Sequence, residues 1–477
     1  MICPKKKFFY SFLIFLIFFA FSVKSASVGE TLNFYVDSSY DSFGRKEVLG
    51  NLRKISAKLY IYVDNSWWES LSSEKKNLVD NQLSALAEEF DRKIYPILTS
   101  TFGSEWRPGI DNDERITILF HPMRRKAGGY FNSGNEYSRF QNPLSNEREM
   151  LYLNTDYILD PNEKSFLAHE FTHLITFNQK EKIYGIEEAV WLNEARAEYA
   201  PTLLGYNDNY QGSNLQTRVI EFFKNPSNSI TDWQGSSSDY GALNLFIHYL
   251  VDNYGIDILI DSLHSSKKGI ESINYALEKN GFDDDFSQVF TNWTIAVLIN
   301  DCSLNDKYCF KNKNLKNLRM LPTINFLPRN TQSFLSVNLV LKNWSASWQK
   351  IVGGTEILKL KISGDINGRF KVPYILYSDS GIYSVKFLSL DENQRGEFTI
   401  NDFDKYRYLV FVPSLQIKKE NLEEFSPFFS FNWEVRMETK KEEDELIQQL
   451  LAQIEALKAE IARLKAEIAR RLSLIHI

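Results

Sequence analysis

The sequence predicts an α+β chain in which a mixed strand-and-helix portion leads into a helical portion, followed by an all-β sandwich and a terminal coiled-coil helix. Three observations carry this reading. Apolar strand patterns interleave with helical spacing up to residue 160, and helical spacing dominates 161–315. From about Leu321 to residue 438, apolar and polar residues alternate between glycine-bearing turns. The stretch 440–472 is a heptad repeat. A chain of 477 residues with 43% hydrophobic and 14% aromatic content has apolar surface for several cores. Its net charge of -6 leaves no basic footprint for nucleic acid, and it carries neither a phosphate-cradling glycine loop nor a G-x-S-x-G elbow.

Residues 1–26 read as an export signal: Lys5, Lys6 and Lys7, the apolar run Phe8 to Val23, then the small residues Ser25, Ala26 and Ser27. The mature chain is therefore expected outside the cytoplasm, secreted or, if the run stays uncleaved, attached at the cell surface. Within 27–160, Lys58 to Val63 is a strand pattern, and Lys76 to Ile97 has helical spacing with Pro96 and Gly103 as stop signals. A turn at Gly109 to Asp113 precedes a second strand, Arg115 to Phe120. Its acids Asp111, Asp113 and Glu114 admit a calcium reading, but a turn before a strand explains them more simply. After the glycine-bearing Lys126 to Asn132, the strand Glu149 to Asn154 comes just before the next helix, where it would offer an edge for pairing an extended substrate.

That helix carries the sharpest signal in the chain. Asp160 is expected at its N-cap, Pro161 at the first helical position and Glu163 as a capping-box carboxylate. In Phe166 to Asn178, His169, Glu170 and His173 spell H-E-x-x-H. Residues four apart stack on one helix face, so both imidazoles can reach one ion with Glu170 beside it, the arrangement of a zinc hydrolase. The plain alternative is two partly buried histidines on an amphipathic helix. A hydrolytic zinc takes three protein ligands and leaves a fourth position to water. A second helical pattern, Gly185 to Leu204, supplies Glu194, with Glu198 one turn later on the same face. One carboxylate can bind metal and the other can orient a histidine, with Glu198 the candidate for orienting. Two solvated glutamates are the alternative, but the segment is apolar on both sides and charge there needs a partner.

Helical spacing continues over Leu215 to Phe223, Ala242 to Tyr254, Ile256 to Leu263 and Phe286 to Ile299. Tyr240 opens one of these helices and could point its hydroxyl into a cleft, although position alone favours a packing role. His248 and His264 sit among apolar neighbours and read as core or surface histidines. Cys302 and Cys309 suit one local disulfide in an exported chain, with two unpaired loop thiols as the alternative. In the β portion the strand patterns are Phe334 to Leu341, Ile357 to Ile362, Tyr383 to Leu388, Tyr408 to Val412 and Phe428 to Val435. It has no histidine or cysteine and is assigned no chemistry; binding of substrate, cell wall or glycan and simple stabilisation all stay open. In 440–472, Ile447, Ile454, Ile461 and Ile468 take one core position and Leu450, Leu457 and Leu464 the other, the pattern of a parallel two-stranded homodimer. Glu460 and Lys465 would meet across it, and a solitary charged helix is the alternative. Leu472 to Ile477 breaks the heptad, and 473–477 resembles translated adapter sequence.

HEFTH followed by WLNEARAE resembles the gluzincin metallopeptidases, in which the third zinc ligand is a glutamate on the helix after the H-E-x-x-H helix. From about Lys58 to Leu304, the segments DNDERITILF, AGGYF, SNEREMLYLN and DYGALNLF resemble the hyicolysin-type branch. The resemblance implies a zincin-like catalytic unit, formed by 27–160 and 161–315, acting on a protein or peptide substrate. It implies His169, His173 and Glu194 as ligands of one Zn2+, Glu170 as general base, Glu198 behind a ligand, and Tyr240 at the oxyanion. Related aminopeptidases grip the substrate's amino terminus with G-x-M-E-N, which this chain lacks, so an endopeptidase is expected. The alternative is a surface adhesion or scaffold protein on an inactive peptidase fold, against which stands the retention of all five residues of the metal site.

Overall fold

A computed structural model describes residues 26–124, 127–329, 331–378, 380–418 and 427–475. The expected export signal, apart from Ala26, lies outside these residues, as do 476–477. Six strands make the first sheet: β1 (Thr31–Tyr35), β2 (Glu47–Ile55), β3 (Leu59–Asp64), β4 (Ile116–His121), β5 (Gly129–Phe131) and β6 (Met150–Asn154), in the order β1-β2-β3-β4-β6-β5. The strands β3, β4 and β6 run parallel, with β5 antiparallel to β6 at the margin. This corrects the expected position of the edge. Every residue of β6 is buried, so it belongs inside the sheet, and the three-residue β5 forms the edge instead. The acids before β4 build a turn: Asp111 accepts from the Asp113 N–H, Asp113 from that of Arg115, and Glu114 pairs with Arg107.

Helices cover one face. After α1 (Asn65–Glu69) and α2 (Ser73–Glu89), a π-helical turn at Phe90–Ile94 leads straight into α3 (Tyr95–Phe102). Pro96 therefore does not stop the run, because the widened turn before it accommodates its ring and missing N–H. The helix α4 (Glu163–Phe177) bears H-E-x-x-H, and its start also differs from expectation. Asn162 precedes it, and Asp160 shapes the approach by accepting from the N–H of Asn162 and, through its carbonyl, from that of Glu163. Glu163 is buried and does not reach back as a cap; burial pushes its carboxyl pKa well above the usual range.

A π-helical turn, Asn178–Lys182, ends that helix, and α5 follows at Val190–Leu203 rather than from Gly185. Glu188 explains the later start. Its carboxylate accepts from the N–H groups of Ala189 (3.0 Å) and Gly269 (2.9 Å) and meets buried Arg196, which holds the segment outside a helical path. The buried Lys180 ammonium donates to the carbonyls of Ser262 and Ser265, tying the end of the H-E-x-x-H helix to the helices beyond. These are α6 (Asn214–Lys224), α7 (Ser237–Tyr254), α8 (Asp257–Leu263), α9 (Gly269–Lys279) and α10 (Phe286–Ile299). Of these, α9 lies outside the patterns read from the sequence, although Ile270, Ile273 and Leu277 carry its spacing. A Cβ at Gly241 would lie 2.5 Å from the Phe222 nitrogen, so α6 and α7 make backbone contact there. Cys302 and Cys309 are joined in a disulfide.

Eleven further strands among the described residues run from β7 (Thr323–Leu327) to β17 (Phe428–Glu438). Ile357–Gly364, Arg395–Ile400, Phe428–Glu438 and Ser333–Lys342 form a four-stranded sheet, and its apolar face shares a core with a larger sheet through Leu360, Trp433, Ile351 and Phe411. The alternation does not reveal the strand Phe370–Ser378, whose Pro373 reads as a strand breaker. Trp348 donates its indole N–H to the Thr294 carbonyl, and Ser287 hydrogen-bonds Gln416, so these sheets dock on α10. The last helix, α11 (Lys440–Ile475), leaves its isoleucine and leucine seam about half exposed. Among the described residues no helix is long and apolar enough to cross a membrane.

Candidate metal centre

The packing of α4 against α5 converges three donors. The Nε2 atoms of His169 and His173 lie 3.1 Å apart, and Glu194 Oε2 is 3.3 Å from the first and 3.7 Å from the second. Ligands about 2.0–2.2 Å from a tetrahedral zinc would stand roughly 3.4 Å from one another, so this spacing fits such an ion. Glu194 Oε2 is buried and accepts no hydrogen bond, and a cation at the common point would satisfy it. Among the described residues, these three form the one His/Cys/Asp/Glu group able to hold a metal, and the acids before β4 form none.

Each histidine is oriented from behind. His169 Nδ1 faces Glu198 Oε1 at 3.4 Å, and His173 Nδ1 faces Asn193 Oδ1 at 3.0 Å. With Nδ1–H donating, each Nε2 turns its lone pair toward the common point. Burial disfavours the charged form of His169, but its close contact with Glu194 and the charges of Glu170, Glu194 and Glu198 outweigh this and bring its pKa to about 9. For His173, burial wins and lowers the pKa. Burial also lifts Glu170 to about 8, opposed by His169 and assisted by Glu194 and Glu198. A divalent cation at the three-donor point would act on Glu170 in the opposite direction.

Glu198 is held by charge and by amides together. Arg218 donates to both its oxygens (2.8 and 2.9 Å), and Asn214 (3.2 Å) and Asn244 (3.0 Å) add to Oε2. Burial alone would raise its pKa, yet Arg218 holds it down to about 2. The same guanidinium lies 4.3 Å from the centre of the Tyr240 ring, whose other contacts include Trp233 at 4.7 Å. Tyr240 follows the capping box of Ser236 and Asp239, and its ring centre is 6.3 Å from that of His169. Burial, with Glu194, Glu198 and Glu170 nearby, pushes its phenol pKa up, keeping it a neutral donor. All six residues singled out in the sequence thus stand at one centre, and Glu170, His169, Glu194, Glu198 and Tyr240 line an open cleft of about 750 Å3.

The other described histidines lie elsewhere. His248 is buried between Thr202 and the Asn244 carbonyl, and its pKa is lowered to about 4 by burial; His264 contacts the Phe102 carbonyl. The sequence reading does not find Asn193, Arg218, Asn214 or Asn244. Asn214 and Arg218 are four apart on a helix, a visible pairing, but nothing local says that they meet a glutamate on another helix.

The fold and donor set describe a candidate metal centre, an H-E-x-x-H helix with a glutamate able to serve as third donor, set beside the edge of a mixed sheet. The chain is similar to the neutral metalloprotease ShpI of Staphylococcus hyicus, with 29% identity over 252 residues, and this supports the resemblance to the hyicolysin-type branch. The match covers 46% of this chain and 54% of the relative, so the chain spans about half the length of that curated protein. No family model matches the sequence. Among solved structures, the pre-peptidase C-terminal domain of collagenase from Bacillus anthracis aligns with 24% of this chain and 98% of its own, at TM-score 0.17 and 8% identity. A functionally unknown conserved protein from Bacillus anthracis str. Ames aligns with 72% of this chain and 70% of its own, at TM-score 0.29 and 9% identity. Neither value reaches the likeness of a shared fold.

Arg218→Met should leave Glu198 buried with only neutral donors and loosen the support of His169. Zinc affinity, read by competition with a chromogenic chelator, is expected to fall about 10- to 100-fold. Arg218→Lys should recover part of it, since one ammonium cannot reproduce the two-pronged bond.

Proposed function

We propose that this chain is an exported zinc metallopeptidase, an endopeptidase that hydrolyses peptide bonds within protein or peptide substrates. The observation that carries the reading is the convergence of His169, His173 and Glu194, with Glu170 alongside, in an open cleft bordered by the edge of β5, which is unpaired among the described residues. A cleft open along a strand edge can take the middle of an extended chain, in keeping with endopeptidase action. The relative's name supports the class of activity.

His169, His173 and Glu194 would hold the zinc, which when bound lowers the pKa of a coordinated water to about 7 and polarises the scissile carbonyl. Glu170 takes a proton from the attacking water and delivers it to the departing amine nitrogen. Glu198 and Asn193 keep the two imidazoles in the tautomer that presents Nε2. Tyr240 donates from its hydroxyl to the oxyanion as the carbonyl becomes tetrahedral. The β portion, 321–438, is proposed as a sandwich accessory to this catalytic unit. The half-exposed seam of α11 is proposed to pair with a second copy as a parallel coil.

Glu170→Gln should bind zinc as the native chain does while peptide hydrolysis falls about a hundredfold or more. Metal analysis and hydrolysis on one preparation check this, and retained turnover would remove Glu170 from the mechanism. Tyr240→Phe should lower kcat by roughly ten- to a thousandfold with KM and zinc content little changed. Earlier melting with native turnover would instead mark a packing tyrosine. For the tail, sedimentation of the chain with and without residues after Lys440 should show a weak dimer only when the helix is present; equal masses at high concentration would rule out that pairing.

A further inference from the structure

The open edge of β5 has a feature that bears on which peptides can lie along it. In the antiparallel pair with β6, Gly129 is opposite Leu153, Tyr130 opposite Tyr152 and Phe131 opposite Leu151. The Asn154 N–H is bonded to the Gly128 carbonyl, so by alternation the backbone groups of Gly129 and Phe131 point away from β6, toward the open side. No bond outside the ladder uses those groups among the described residues. Gly129 faces the metal helix: a Cβ there would lie 2.9 Å from Glu170 Cγ. Tyr130 points to the opposite face, into the cluster with Tyr152 and Leu119.

On that opposite face three phenol rings are stacked across the edge. The rings of Tyr152 and Tyr130 are 4.2 Å apart and nearly parallel, and those of Tyr130 and Tyr40 are 4.5 Å apart at 27°. Tyr152 covers one side of the Tyr130 ring, so Tyr40 covers the other, about one strand spacing beyond β5. Tyr40 is thus where the side chain of an added strand would project if its residue lay opposite Tyr130. It also lines the same cleft as His169, Glu170 and Glu194.

The residue is held there by its loop. Asp41 accepts from the N–H groups of Phe43 and Arg45 and from the Arg45 guanidinium, which also pairs with Asp64. His121 contacts Asp41, the Ser42 N–H reaches the Pro122 carbonyl, and the Arg124 N–H reaches the Tyr40 carbonyl. Bonds at Tyr40 and at the two residues after it thus fix this backbone to the end of β4. The ring is a wall rather than a loose flap.

We propose that Tyr40 is a specificity-determining residue: it fills the space opposite Tyr130 on the outer face of β5, so the substrate residue paired there must be small, glycine, alanine or serine. This rests on the peptidase reading and on an extended substrate pairing with β5. Substrate residues on either side of that position turn toward the metal helix and escape the restriction, because side chains alternate along a strand. The filter therefore acts on one position near the scissile bond.

Zinc-loaded full chain, Tyr40→Ala and Tyr40→Trp are profiled on one peptide library, with thermal melts alongside, and then on peptide sets differing only at the filtered position. The native chain should select small residues at one position. Tyr40→Ala should raise the ratio of kcat/KM for leucine over alanine there by about tenfold or more. Tyr40→Trp should shift preference from alanine toward glycine, so the two variants move selectivity in opposite directions. Profiles of folded variants that match the native one overturn the proposal while leaving the peptidase reading intact. Loss of turnover on every peptide by both variants, at native melting temperatures, also overturns it, because Tyr40 would then serve the reaction rather than select. A native chain that binds zinc yet cleaves no peptide removes the peptidase reading and this proposal together.

Discussion

The ion pair of Glu198 and Arg218 is the constraint on which the arrangement of the centre depends. A carboxylate that is almost fully buried is costly unless it is paired and hydrogen-bonded. Here the compensation comes from α6 through Arg218 and Asn214, and from α7 through Asn244, while the acid sits on α5 and its remaining contact is His169 on α4. Four helices are therefore committed to one charge. Any shift of α6 would expose or strand that charge, and the backbone contact at Gly241 leaves α6 little room to shift against α7.

The same pair links the two ends of the proposed chemistry. Its acid backs the imidazole that would hold metal, and its guanidinium lies over the ring of Tyr240. On the other side of the cleft, the position of β5 relative to Glu170 depends on a glycine, since Gly129 has no room for a side chain. Glu170 is thus placed between a sheet edge and a helix pair, each fixed by short-range packing.

Much of the centre is legible in the residues. The H-E-x-x-H spacing places His169, Glu170 and His173 together on any helix, and the second helix pattern identifies Glu194 and Glu198, because these follow from helical periodicity alone. The apolar surroundings of His248 and His264 set them apart from the donors, and the structure keeps them apart. Local signals mislead where long-range contacts outweigh them. Pro96 is absorbed by a π-helical turn, Glu163 is buried rather than capping, and Glu188 is drawn to Gly269, which delays the start of α5.

By itself the sequence determined the donor types, their order along two helices and the alternation of the β portion, and it favoured the disulfide, since each depends on spacing over a few residues. Only the tertiary structure decided that β5 rather than β6 is the sheet edge, that Arg218 neutralises Glu198, and that Tyr40 stands beside Tyr130. Those contacts join residues on different elements: Arg218 and Glu198 are 20 positions apart on separate helices, and Tyr40 meets Tyr130 across the first sheet. Burial and strand order choose such partners, and neither is encoded in the periodicity of any single segment.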